Sequence, residues 1–144
     1  MTRALLDVNV LLALFDRDHV DHVRAREWLS AEIEYGWASC PITQNGFVRI
    51  ISQPRYPNPI VPAEAIRRLS AATATGHHQF WSCAASILDP AVIDHAKVLG
   101  HGQVTDAYLL AIAVANDGRF VTFDSSVPLS AVQGADTGHL AVLA

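Results

Sequence analysis

"ALLDVNVLLAL" runs from Ala4 to Leu14, and every residue in it except Asp7 and Asn9 is apolar. A stretch this apolar is destined for a core. An ionised carboxylate there costs on the order of several kcal/mol unless cations or hydrogen-bond donors meet it. The break at Asp7 also decides the fold. "RALL" reads as a short strand and "VLLAL" as the start of a helix, which places Asp7 at the C-terminal end of a strand that feeds a helix.

Outward from this unit the same alternation continues. Val20 to Ser30 has helical periodicity, with Ala25, Trp28 and Leu29 on one face and His22 alongside. "GWASC" reads as a second strand closed by Pro41, and Thr43 is expected to N-cap a helix to about Ser52 that turns Phe47, Ile50 and Ile51 inward. "QPRYPNPIVP" is a proline-rich loop. Pro62 suits the first turn of a helix to about Thr75, stopped by Gly76. "HHQFWSCAASIL" fits either a strand or irregular structure, with Phe80, Trp81 and Trp37 assigned to the core. "VTDAYLLAIAVAND" is a helix apolar on nearly all sides, hence deeply buried, and ended by Gly118. "RFVTF" and "HLAVLA" complete the strands. Short strands alternating with helices predict an α/β fold on a parallel sheet.

At 144 residues and 51% hydrophobic content the chain suits one domain with a continuous core. Met1-Thr2-Arg3 leads straight into a short apolar run without a leader pattern, and no window approaches a membrane span, so a cytoplasmic protein is expected. Cys40 and Cys83 lack metal-type spacing and read as free thiols. A net charge of −4 argues against capture of nucleic acid by a broad basic face, but not against a nuclease whose acids hold divalent cations.

Asp7 and Asp124 each follow a strand at its C-terminal end, the edge where open parallel sheets bind ligands. Asp106 lies in the first turn of the buried helix, and Leu110 and Ala113 put it on an apolar face. Helix-dipole complementarity explains an exposed aspartate there and explains a buried one poorly. Three carboxylates drawn together in low dielectric repel until some are protonated, or until a divalent cation joins them. Oxygen ligands without cysteine or histidine select magnesium, with manganese as a substitute, and magnesium favours phosphate as a further ligand.

"LLDVNVLLAL", "VTDAYLLAIA" and "VTFDSS", in this order, resemble the PIN-domain ribonucleases. With "HVDHVRAREWL" and "CPITQNGFVRII" between them, the chain is similar to the VapC toxins of type II toxin–antitoxin systems. The resemblance spans residues 1–144 as a single PIN domain. It implies a three-layer α/β/α sandwich around a parallel sheet of about five strands, and a magnesium-dependent endoribonuclease that cleaves cellular RNA to arrest growth. It also implies a VapB-type antitoxin partner and a homodimer. Carried over by residue, Asp7, Asp106 and Asp124 are the catalytic and metal-binding acids, with Asn9, Thr122 and Ser125 as hydrogen-bonding support.

The chain departs from the family at one place. Many PIN domains carry a glutamate at the start of the helix after strand two, where Asn45 or Gly46 stands here. Asn45 is therefore a supporting candidate. Arg49, on the same helix face, is assigned to RNA or antitoxin contact, with an ion pair to an aspartate as the alternative. The missing acid also allows a catalytically weak or inactive PIN scaffold that binds RNA or a protein partner. "DVNV" is similar, too, to the nucleophilic-aspartate loop of haloacid-dehalogenase-like phosphatases, but Asn9 replaces their second acid. His19 and His22 lack a third metal ligand and read as packing or capping residues, and His77 and His78 as a surface pair.

Overall fold

The computed structural model describes residues 1–144. Five parallel strands, β1 (Ala4–Leu6), β2 (Trp37–Ser39), β3 (His78–Phe80), β4 (Arg119–Thr122) and β5 (Leu140–Val142), form one sheet in the order β3-β2-β1-β4-β5. The chain builds outward from β1 to β3 and then crosses to the other side for β4 and β5. The order therefore reverses between β1 and β4, which pair through Leu5 and Phe120. A crevice opens at such a reversal because the two connections leave in opposite directions.

Five helices cover the sheet: α1 (Val8–Phe15), α2 (His22–Glu32), α3 (Pro41–Ile51), α4 (Pro62–Thr73) and α5 (Val104–Ala115). Strand periodicity sorts the core into two halves. Ala4, Leu6, Trp37 and Val121 face α1, α3 and α4, while Leu5, Ala38 and Phe120 face α5. The result is the expected α/β/α sandwich. Helix α5 buries Ala107 and every residue from Leu109 to Ala113, as an apolar circumference requires. No helix is long and apolar enough to cross a membrane.

Several local expectations are corrected. Cys40, not Thr43, N-caps α3. Thr43 sits one turn in, buried, and its hydroxyl accepts from the Cys40 amide at 3.0 Å. Helix α4 stops at Thr73, short of Gly76. The stop after α5 is Asp117 at φ 53°, so Gly118 serves packing instead: a Cβ there would stand 2.4 Å from the Trp81 ring. Phe80 is 54% exposed on the edge strand β3, whereas Trp81 and Trp37 are buried. His78 is not a surface residue like His77; it packs on Trp37 and hydrogen-bonds Ser39 Oγ at 2.8 Å. His22 bonds the Ala13 carbonyl and His19 caps the Asp21 amide, both structural roles. Cys40 and Cys83 are free thiols.

Candidate active site

Asp7 leaves β1 at the reversal point. Its amide donates to the Val121 carbonyl at 2.9 Å, extending the β1–β4 ladder by one residue. Asp7 is also the N-cap of α1, its Oδ1 accepting from the Val8 amide at 2.7 Å. Oδ2 accepts from the Thr122 hydroxyl at 2.7 Å. These two bonds answer the question raised by a carboxylate inside an apolar run, because Asp7 is only 8% exposed and no cation reaches it. Burial still dominates: it lifts the Asp7 carboxyl above the usual range, against the lowering effect of the two donors.

Thr122, the last residue of β4 and fully buried, is the hub of the site. While its proton goes to Asp7, its oxygen accepts from Asn9 Nδ2 at 3.2 Å and from the Asp124 amide at 3.1 Å. Asn9 Oδ1 accepts from the Phe123 amide at 3.4 Å. One hydroxyl thus ties both strand-end aspartates and Asn9 into a single network.

Asp124 is more open. Ser126 donates to its Oδ1 from both amide (2.8 Å) and hydroxyl (2.7 Å), and these donors hold the carboxyl below its ordinary value. Ser126 thus does what was expected of Ser125. The signal was available in "DSS": an aspartate accepts most readily from the amide two residues on. Asp106 reaches the other two acids from the first turn of α5. Its carboxyl is pushed up to about 7, first by burial, then by the Asp7 charge and by a hydrogen bond and charge from Asp124. Asp7 and Asp124 thus both act on Asp106, and none of the three acids forms an ion pair. Their side chains are nevertheless not gathered into a three-residue group tight enough to enclose an ion.

The two candidates for the missing acid's position differ in their surroundings. A Cβ on Gly46 would lie 2.7 Å from Val8 Cγ2, so Gly46 faces α1 beside Asp7, with Val8 filling the space a longer side chain would need. Asn45 is exposed. Together with Arg49 it lines a groove of about 500 Å³ between α3 and α4. Arg49 pairs with no aspartate. Arg24, which the sequence did not single out, lays its guanidinium 5.9 Å from the Phe123 ring centroid, next to Asp124 in the chain.

Comparison with known proteins agrees with this architecture. A family model described as PIN domain matches residues 4–133. The chain is 68% identical to Ribonuclease VapC44 of Mycobacterium tuberculosis, over 98% of this chain and 99% of that protein. It is 45% identical to Ribonuclease VapC38 of the same organism, over 86% of each chain. Among solved structures, VapBC2 from Rickettsia felis bound to a promoter DNA fragment superposes with a TM-score of 0.57 at 10% identity. That match covers 85% of this chain and 89% of the other, a likeness of fold.

Proposed function

The chain belongs to the PIN-domain family, in its VapC branch, and from that premise we propose that residues 1–144 act as one cytoplasmic, divalent-metal-dependent endoribonuclease toxin. One observation carries the reading. Three coupled carboxylates share the crevice at the sheet's reversal point, and no basic side chain neutralises them. An all-oxygen donor set with surplus negative charge suits a hard divalent cation, magnesium or manganese, with Asp7 and Asp106 as its principal ligands and Asp124 completing or supporting the set. When bound, such an ion supplies Lewis-acid stabilisation of charge on a phosphodiester and acidifies water.

The chain's own groups then divide the work. Asp7, fixed by Val8 and Thr122, gives the site a rigid reference. Asp106 sheds its proton near neutrality and contributes a second negative charge. Asp124, its Oδ1 held by Ser126, is the acid that orients the attacking water. Asn9 and Thr122 hold the two strand ends in register. Cleavage of cellular RNA would arrest growth. The resemblance supports a VapB-type antitoxin as the neutralising partner and a homodimer as the assembly, with Arg49 available on an exposed helix face for antitoxin or RNA.

The purified protein should cut single-stranded RNA in magnesium or manganese, be silent in EDTA, and lose cleavage on Asp7→Asn or Asp106→Asn with the fold retained. A second reading is favoured by the ungathered acids and by Gly46: a PIN scaffold that binds RNA or a partner without cutting. Tight RNA binding with no cleavage in either metal would select it. Full activity in both asparagine variants would overturn the site.

A further inference from the structure

A site made of acids repels the polyanion it is meant to cut, so cations must hold the RNA on either side of the scissile bond. Five of the ten Lys and Arg are engaged elsewhere. Arg3 is tied to the Trp37 and His77 carbonyls, and Arg119 is buried against Glu32. Arg67 and Arg68 share Glu64, and Lys97 pairs with Asp94. Arg24 is placed differently. Its guanidinium lies over the Phe123 ring with a weak lateral contact to Asp21 at 3.5 Å, and its side chain remains half exposed.

Phe123 follows Thr122 and precedes Asp124, and its amide is bound to Asn9 Oδ1, so the ring is anchored to the same network that fixes the catalytic acids. The guanidinium carbon lies 5.9 Å from the ring centroid, within cation–π reach, and half of the Arg24 side chain is open to solvent. Single-stranded RNA is read by stacking bases on aromatic rings or on guanidinium planes, with the arginine charge meeting a phosphate. We propose that Arg24, propped on Phe123, is a positioning platform for the single-stranded RNA nucleotide next to the scissile phosphate. It would add a stacked base and a phosphate contact on the β4 side of the crevice. This rests on the ribonuclease reading above.

The test compares wild type, Arg24→Ala, Arg24→Lys and Arg55→Ala, the last an exposed arginine in the loop after α3. Binding of a fluorescein-labelled single-stranded RNA is measured by anisotropy in EDTA, and KM and kcat of its cleavage are measured in manganese. Arg24→Ala should weaken binding and raise KM about tenfold, the effect of one lost stacked base, with kcat within about twofold. Its salt dependence should fall by about one contact. Arg24→Lys, which keeps the charge and loses the plane, should recover the salt dependence but only part of the affinity. Arg55→Ala should match wild type.

Unchanged binding and KM in a folded Arg24→Ala overturns the inference while leaving the ribonuclease reading intact. So does unchanged RNA affinity with loss of a copurifying antitoxin, which would place the pair in a protein interface. A wild type that neither binds nor cuts RNA overturns the ribonuclease reading and the inference with it.

Discussion

Asp106→Asn should stabilise the metal-free protein, and only toward neutral and alkaline pH. In the folded chain Asp106 holds its proton up to about 7, against an ordinary value of 3.8. Its stabilising contribution is full below the unfolded value and is lost as pH rises through the folded one, because the folded state binds the proton more tightly. At full value that difference corresponds to about 4 kcal/mol between pH 4 and pH 8. Asp106 is only half-buried, and solvent screening reduces the figure to about 1–2 kcal/mol. Asp7, also raised, acts in the same direction, whereas Asp124 is lowered and acts oppositely in the acid range. Asparagine removes the titration and keeps a donor for Asp124.

Thermal melts in EDTA should therefore coincide for wild type and Asp106→Asn near pH 4 and diverge by about 3–6 °C in favour of the variant at pH 8. Manganese should close the gap, because an ion that binds only the folded state stabilises the protein with the intact acid more. Parallel melting curves across the whole pH range would refute the raised titration of Asp106 by burial and by its neighbouring acids.

Thr122→Val removes three hydrogen bonds in a buried site; it should cost about 2–3 kcal/mol in urea denaturation and lower cleavage at least tenfold. Gly46→Glu should lose about 1–3 kcal/mol through its clash with Val8 and gain no metal affinity. Combined with Val8→Ala, which opens that space, it should bind manganese more tightly by calorimetry. Gly118→Ala should destabilise by a similar amount, since its Cβ meets both the Trp81 ring and the Arg3 carbonyl oxygen, and a denaturant midpoint unchanged from wild type would contradict that packing.

Helix α5 was legible because its apolar circumference has one physical explanation, burial, and an aspartate in its first turn could then not be a surface residue. Asp7 and Asp124 were legible because strand ends bordered by helix or turn signals locate the functional edge of a parallel sheet. Strand β3 was not, since an edge strand of three residues with an exposed phenylalanine carries no alternation to detect. The end of α5 misled because glycine is the commonest residue past a helix, while here Asp117 takes the left-handed turn and Gly118 lets Trp81 approach. The contacts of Gly46 with Val8 and of Arg24 with Phe123 join segments distant in the chain, and neither follows from local pattern.

The saturation of one hydroxyl bears on where the cluster carries its charge. Asp7 is the more buried acid, yet both of its oxygens already face a donor, Val8 N–H at one and Thr122 O–H at the other. A proton on either oxygen would weaken the hydrogen bond that oxygen already accepts. Thr122 cannot rotate to relieve this, because its lone pairs are held by Asn9 and by the Asp124 amide. Asp106 meets no such donor, and Asp124 offers it an acceptor. Near neutrality it is therefore Asp106, on α5, that keeps a proton an ordinary aspartate would have lost, while the donors around Asp7 and Asp124 favour charge on the carboxylates at the sheet's edge.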